Sequence, residues 1–142
     1  MRQPSITSRL IELPKIPDPR GNLTFIEAGH HVPFEFKRVF YLYDVPSGSS
    51  RGGHALVHCH QLLIAMAGSF DVILKDGRSE QRVNLSRPNI GLHIPPGIWR
   101  ELDNFSSAAA CVVLASHPYA EDDYIRDYDD FLATLTGDRP QP

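Results

Sequence analysis

Short apolar runs alternate with turn residues along most of this sequence, and that alternation restricts the chain to a fold of many short strands. The segment GSFDVILKDGRSEQRVNL predicts two strands joined at an Asp76-Gly77 turn. Further strands are predicted at 22–27, 37–45, 54–67, 90–94, 98–105 and 109–115. The breaks are rich in Pro, Gly, Ser and Asn, which favour turns. Eight or more strands at this spacing predict an all-β sandwich or barrel.

The C-terminal part of the chain has a different periodicity. Its segment EDDYIRDYDDFLATL, residues 121–135, places aromatic and aliphatic side chains at helical spacing. Acidic residues at its start suit the positive end of a helix dipole. We therefore expect one amphipathic C-terminal helix at about residues 121–135, packed against the sheet.

The composition restricts the class of function. A chain of 142 residues fits one domain, so residues 1–142 are assigned to a single domain. The hydrophobic fraction of 42% and charged fraction of 22% are typical of a globular protein. A formal net charge of −3 gives no reason to expect a nucleic-acid or membrane partner, although a small anionic ligand remains compatible with it.

Two further features bear on location and redox chemistry. The chain has no apolar stretch of about 20 residues, and its N-terminus lacks the apolar centre of a signal peptide. These features predict a cytoplasmic protein. Cys59 and Cys111 lie in apolar runs without C-x-x-C spacing, so buried free thiols are expected rather than a disulfide.

A run rich in histidine, RGGHALVHCHQ at residues 51–61, is the first candidate for chemistry. Alternate side chains of a strand share a face, so His54, Leu56, His58 and His60 would lie on one face of the predicted strand and Gln61 on the other. Leu56 interrupts the row of histidines. Without other evidence, His58 and His60 are expected to be partly exposed or hydrogen-bonded strand histidines.

A metal site is not predicted at this run. Metal-binding cupins typically combine H-x-H, a carboxylate a few residues later, and a further histidine after P-x-G. Here no acidic residue follows H-x-H before Asp71, and the segment PPGIWRELDN has Arg100 at the later histidine position. Arginine is not a practical metal ligand, and two imidazoles alone make a weak site.

The order of several motifs carries a family resemblance. They are RGNLTFIE, FKRVFYLYDVP, RGGHA, GSFDVILKDG, PPGIWRELDNFS and VLASHPYAEDDYIRDYDDF, and together they span about residues 14–133. The series resembles the sugar 3,4-ketoisomerases, also called the WxcM-like family, which are metal-free cupins acting on dTDP-4-keto-6-deoxyglucose. The resemblance implies an all-β cupin double-stranded β-helix with one C-terminal helix, and no cofactor. It also implies a homodimer that exchanges N-terminal strands, about residues 1–30, between subunits.

The implied reaction moves the keto group of a dTDP-linked 4-keto-6-deoxyhexose between C4 and C3 through an enediol or enediolate. The family uses it in the biosynthesis of deoxyaminosugars and of surface polysaccharides such as lipopolysaccharide. Its usual site motif is R-G-x-H-A-H, with two histidines on one strand face. In this chain Arg51 and His54 match the motif, and Leu56 stands at the position of the second histidine.

Residue chemistry assigns catalytic roles within that expectation. His54 is the predicted base, because an ordinary histidine pKa near 6.5 allows proton transfer at neutral pH. Arg100, pointing into the barrel, would stabilise the enediolate. His58, or Tyr41 on the motif strand, is the candidate for a second proton-transfer group.

The remaining predicted site residues bind substrate. Arg38 and Arg51 match basic positions of the family, and arginine binds pyrophosphate through charge-assisted pairs of hydrogen bonds. Trp99 could stack on the base or the sugar, and Arg20 is assigned to the same substrate-binding set.

The leucine at the second histidine position keeps two other functions open. One is a nucleotide-sugar-binding cupin whose catalytic site has been altered. The other is an isomerase or epimerase that acts on a different keto-sugar.

Overall fold

The computed structural model describes residues 6–136, which form two facing β-sheets and a short C-terminal helix. The strands are β1 Arg9–Glu12, β2 Lys15–Ile16, β3 Leu23–Thr24, β4 Arg38–Leu42, β5 Arg51–Leu56, β6 Gln61–Ala67, β7 Phe70–Lys75, β8 Glu80–Leu85, β9 Ile90–Ile94, β10 Trp99–Asp103, β11 Ala110–Ala115 and β12 Tyr124–Ile125. A 3₁₀ turn at Glu121–Asp123 precedes β12, and the helix α1 spans Tyr128–Leu135.

The two large sheets are antiparallel and have five strands each. Their orders are β1-β9-β6-β11-β4 and β12-β5-β10-β7-β8, while β2 and β3 form a separate hairpin. Alternating side chains from both inner faces interdigitate in one core. That core comprises Leu63, Ala65, Phe70, Val72, Leu74, Leu85, Leu92, Ile94, Ile98, Leu102, Phe105, Ala109, Cys111 and Val113. The predicted all-β class is confirmed.

The hairpin predicted at Asp76-Gly77 is present between β7 and β8. Asp76 Oδ1 accepts hydrogen bonds from the backbone N–H groups of Arg78 and Ser79 at 2.9 and 2.7 Å. Gly77 has a φ of 90°, a conformation that glycine adopts without the strain of a Cβ. Local turn chemistry therefore determines this connection.

The strand predicted at 54–67 is interrupted, and the prediction of one continuous strand is wrong. Residues 57–60 belong to no strand and connect β5 of one sheet to β6 of the other. The Asp123 carboxylate accepts from the backbone N–H of His58 at 2.7 Å and of Cys59 at 3.3 Å. Because a distant carboxylate satisfies these N–H groups, the backbone leaves the sheet without losing hydrogen bonds. The side-chain alternation expected through the histidines stops at this break.

The C-terminal helix is shorter than the predicted 121–135. Tyr124 and Ile125 instead pair as β12 with Leu56 and Ala55 of β5. The helix begins after Asp127, whose side chain accepts from the backbone N–H of residue 130 as an N-cap. Helical spacing identified the apolar face correctly, but pairing with a free strand edge decides the conformation of residues 124–125.

Trp99 lies beneath α1, outside the barrel interior. It is 4% exposed, packs against Tyr128 and Phe131, and donates from Nε1 to Glu101 at 2.8 Å. A Cβ on Gly53 would lie 2.5 Å from its ring, so this glycine allows the close approach. The helix covers the ring of Trp99 in the described structure, which does not favour the predicted stacking on a base or sugar.

The cysteines and the membrane prediction can be compared directly with the structure. Cys59 and Cys111 are buried and free, as predicted. Burial raises the pKa of the Cys111 thiol to about 12, so it is an inert core group. Within residues 6–136, no helix has the length and apolar character needed to cross a membrane.

Candidate active site

A cavity of about 420 Å³ lies between the two sheets, among strands β4, β5, β6, β10 and β11. It is lined by Phe40, Leu42, Ser50, Arg51, Gly52, Gly53, His54, Gln61, Leu63, Arg100, Leu102, Val113 and Arg126. Register places His54 on β5 directly opposite Arg100 on β10. An apolar pocket with a few convergent polar groups is the usual form of a small-molecule site.

Arg100 is a buried cation inside this cavity. Its side chain is in a residue only 1% exposed, and it donates to Gln61 Oε1 at 2.6 Å and to the Ile98 carbonyl at 3.4 Å. Its Nε has no hydrogen-bond partner, and it forms no ion pair within residues 6–136. Burial lowers the pKa of Arg100 to about 10, so the guanidinium is still charged at neutral pH. A buried charge without a counter-ion suits an anionic ligand.

His54 is held neutral beside that cation. Burial, helped by the charges of Arg100 and Arg126, lowers the pKa of His54 to about 3. Its Nε2 is buried and makes no hydrogen bond. At pH 7 the imidazole is therefore unprotonated and able to accept a proton.

Three further arginines surround the cavity. Arg51 and Arg126 line it, and Arg126 is fixed by two bonds of 2.9 Å to the Glu121 carboxylate. Arg38 lies behind the lining, with both terminal nitrogens 3.5 Å from the Tyr124 hydroxyl. Arg51, together with Arg126, whose charge Glu121 partly neutralises, thus gives the cavity a basic rim, which favours a phosphorylated ligand.

The sequence did not identify two of the lining residues. Strand alternation predicts that Gln61 faces away from His54. Because residues 57–60 interrupt the strand, that alternation does not reach Gln61, and its side chain lines the cavity with His54. Arg126 was expected within a helix, whereas β12 brings it to the rim. The segments RGGHALVHCHQ and VLASHPYAEDDYIRDYDDF contain these two residues, but neither segment indicates where their side chains point.

Besides Trp99 and Arg38, three further predicted site residues do not line the cavity. Tyr41 is 63% exposed on the outer face of β4, because its neighbours Phe40 and Leu42 face inward. His58 is exposed in the break after β5, so it does not share the face of His54. Arg20 lies at the β2–β3 turn and pairs with Asp18 at 2.9 Å. None of the three contributes to the cavity of the described chain.

His60 belongs to a different cluster on the outer face of the first sheet. Its Nδ1 is 3.0 Å from Nε2 of His93, and both rings pack against Phe34. Burial lowers the pKa of both histidines, that of His93 to about 4. His60 is thus hydrogen-bonded and packed, in agreement with the expectation of a structural histidine.

Another group of possible metal ligands lies in the turn before β4. Ligand atoms of Glu27, His30 and His31 lie within 4.8 Å of one another. His31 Nδ1 accepts from the backbone N–H of Glu27 at 2.8 Å, so the proton of the neutral ring is on Nε2. A ligating Nε2 needs the opposite tautomer, with Nδ1 as the donor. This arrangement does not favour metal binding.

A larger groove, of about 570 Å³, lies between the β2–β3 hairpin and the first sheet. Its lining contains Lys15 and Arg87 but no histidine, cysteine or carboxylate. It offers no group for proton transfer near neutral pH. The smaller cavity around His54 is therefore the better candidate for an active site.

Comparisons with known proteins identify one family and several relatives that match most of the described chain. The FdtA family (WxcM-like, C-terminal) matches residues 6–136. A curated relative from Aneurinibacillus thermoaerophilus, TDP-4-oxo-6-deoxy-alpha-D-glucose-3,4-oxoisomerase, is 43% identical over 124 residues. That match covers 87% of this chain and 89% of the relative.

Solved structures extend the similarity to the fold. The WlaRB TDP-quinovose 3,4-ketoisomerase from Campylobacter jejuni is 45% identical, with a TM-score of 0.85 over 89% of this chain and 97% of the other. QdtA, a sugar 3,4-ketoisomerase from Thermoanaerobacterium thermosaccharolyticum solved with TDP, is 38% identical, with a TM-score of 0.91 over 94% and 97%. The cupin-type barrel predicted from the motifs is confirmed.

Proposed function

The chain belongs to the FdtA (WxcM-like) family, and from this premise we propose that it is a dTDP-sugar 3,4-ketoisomerase acting on dTDP-4-keto-6-deoxyglucose. One observation supports the proposal most strongly: the half-buried, neutral His54 lies directly opposite Arg100, which is buried and has no ion-pair partner within residues 6–136. A base and a cation at one point are what an enediolate intermediate requires.

The proposed reaction needs no net oxidation or reduction. His54 removes the proton from C3, and the C–H electron pair forms the C3–C4 double bond as the C4 carbonyl becomes an oxyanion. Arg100 stabilises that oxyanion. A proton then moves from the C3 hydroxyl to the C4 oxygen, and protonated His54 returns its proton to C4. The product carries the ketone at C3.

The diphosphate of the substrate is assigned to the positive rim. Arg51 and Arg126 line the cavity and can bind phosphate oxygens, and Arg38 is kept in the binding set as a charge behind the lining. Arginine charges contribute to the low pKa of His54, so an anionic substrate offsets part of that effect. We expect His54 to become a stronger base when the substrate is bound.

Leu56 supports a second candidate function. It is 0% exposed and packs with Cys59, Ala115 and Tyr124, so a leucine at the second histidine position fills a core rather than the cavity. One imidazole can serve both carbon atoms in turn, which is the basis of the enzyme proposal. If it does not, the protein is a nucleotide-sugar-binding cupin without turnover, or it acts on another keto-sugar.

We also propose a homodimer. Val39 and Tyr41 on the edge strand β4, together with Tyr43 directly after it, form a row of large side chains that are 55%, 63% and 63% exposed. Covering such a row is a common reason for self-association. Exchange of the N-terminal strands, a cytoplasmic location and a place in deoxyaminosugar or surface-polysaccharide biosynthesis stay predictions.

The test is incubation with dTDP-4-keto-6-deoxyglucose in D2O, followed by NMR. Conversion to a new 3-keto product is the expected result, with deuterium at C4 to the extent that protonated His54 exchanges with the solvent before it returns its proton. Binding without exchange or product would contradict the enzyme and support the binding protein. Exchange or conversion only with another keto-sugar would support the third possibility. The variant Leu56→His then shows whether a second imidazole increases the rate.

A further inference from the structure

The imidazole of His54 has no hydrogen bond that would orient it. Within residues 6–136 its side chain has neither a donor nor an acceptor partner, and its buried Nε2 is unpaired. General-base histidines are commonly held in one orientation by a carboxylate or carbonyl at the other ring nitrogen. Some other contact must restrict this ring.

Tyr124 provides that contact. It is the cross-strand partner of Leu56, so its side chain is on the same face of the sheet as those of Leu56 and His54. Its ring centroid is 5.1 Å from that of His54 at an interplanar angle of 44°. Leu56 lies on the same face of β5, two residues after His54 and opposite Tyr124. Its side chain has no polar atom that could orient the imidazole.

Other residues fix the position of Tyr124 itself. The guanidinium of Arg126 lies 4.4 Å from its ring centroid, and Arg126 is in turn held by Glu121. The Tyr124 hydroxyl is within 3.5 Å of both terminal nitrogens of Arg38. The phenol ring is therefore a fixed surface against which the imidazole rests.

We propose that Tyr124 is a positioning residue for the base: its ring, rather than a hydrogen-bonding partner, holds the imidazole of His54 towards the cavity and Arg100. The effect on turnover rests on the proposed ketoisomerase function. The effect on the environment of His54 does not. Misplacement of a reacting group by about 1 Å can cost on the order of 100-fold in rate, so an aromatic contact of this kind can control kcat.

The test compares Tyr124→Phe, which keeps the ring, with Tyr124→Leu, which removes it. His54 is titrated by NMR in the ligand-free protein, and kcat and KM are measured with dTDP-4-keto-6-deoxyglucose. In Tyr124→Leu, water gains access to the imidazole, so the titration midpoint of His54 should rise by about 1 pH unit or more. Its kcat should fall about 10- to 100-fold while KM changes less. Tyr124→Phe should resemble the unaltered protein in both measurements.

Tyr128→Leu is the matched control. Tyr128 belongs to the same C-terminal segment but contacts Trp99 and Phe131, on the other side of the sheet. Its substitution should leave the His54 midpoint unchanged. If Tyr124→Leu does not fold, Tyr124→Met, which fills more of the space without a ring, is measured instead.

Two results would overturn the inference. In one, the ring-less variant has the His54 midpoint and kcat of the unaltered protein. In the other, Tyr124→Phe is damaged as much as Tyr124→Leu, which would assign the effect to the hydroxyl. Failure of the unaltered protein to convert the sugar would instead contradict the proposed function, and the titration would still decide the role of Tyr124.

Discussion

Replacing Arg100 with methionine should leave the protein as stable or somewhat more stable, and nearly inactive. The guanidinium is fully buried, and burial lowers its pKa well below the ordinary arginine value, to about 10. Keeping the charge in the folded, empty protein therefore costs about 3 kcal/mol. Methionine removes that cost and fills a similar elongated space.

Part of that gain is lost again. The substitution removes the 2.6 Å hydrogen bond from the charged guanidinium to Gln61, and a bond of this kind contributes about 1.5–3 kcal/mol. The expected net increase in the free energy of unfolding is therefore about 0–1.5 kcal/mol. For a domain of this size that is a rise in Tm of at most about 5 °C. Loss of the cation should lower kcat/KM by about 100-fold or more.

Urea unfolding and calorimetry of the two ligand-free proteins measure the effect. Arg82→Met is the control, because Arg82 is an exposed arginine that pairs with Asp71 and Asp103 at 2.8 Å, and its loss should not stabilise the fold. A fall in Tm for Arg100→Met would refute the reasoning. It would mean that other groups already compensate the charge of Arg100 in the empty cavity, so that the cavity does not need an anionic ligand to balance it.

Three further predictions concern the base, the glycine beneath the tryptophan, and pH. His54→Asn should abolish isomerisation while leaving the thermal unfolding transition cooperative, and full activity in this variant would exclude His54 as the base. Gly53→Ala should destabilise by about 1–3 kcal/mol, because the new Cβ would meet the Trp99 ring at 2.5 Å, whereas Gly52→Ala, with open space around it, is the control in urea unfolding. The free energy of unfolding should fall by about 2 kcal/mol between pH 6.5 and pH 5, since the unfolded chain takes up a proton at His54 near pH 6.5 and the folded protein does so only near pH 3. His93, with a folded pKa of about 4, adds to the same slope, and a pH-independent unfolding curve in this range would contradict both shifts.

Local patterns predicted much of the fold. The alternation of short apolar runs and turns identified an all-β barrel, and the hairpin at Asp76-Gly77 follows from a carboxylate and a positive φ within four residues. The strand at 90–94 has the predicted bounds. These features depend on contacts between residues close in sequence, so the sequence alone is sufficient to recognise them.

The family motifs indicated which residue types are candidates for the site, but they did not indicate where the side chains of those residues point. RGGHA and PPGIWRELDN identified His54 and Arg100, which prove to be direct cross-strand neighbours. The motifs did not show that Trp99, next to Arg100, points to the helix. Alternation along β10 puts the two side chains on opposite faces, and only the positions of the cavity and of α1 determine which face is which.

Tertiary structure decided the parts of the site that depend on distant contacts. Strand alternation predicts that His58 shares a face with His54 and that Gln61 lies on the other face. That alternation applies only while the strand is continuous. The carboxylate of Asp123, more than sixty residues away, ends the ladder after β5 and reverses that assignment. In the same way, Tyr124 and Arg126 leave the predicted helix because the edge of β5 offers backbone partners that a helix cannot use. The sequence alone identifies the residues that could act as base and cation. The environment of His54, and therefore its neutral state, depends on burial and on charged groups that are distant in sequence and that only the tertiary structure brings together.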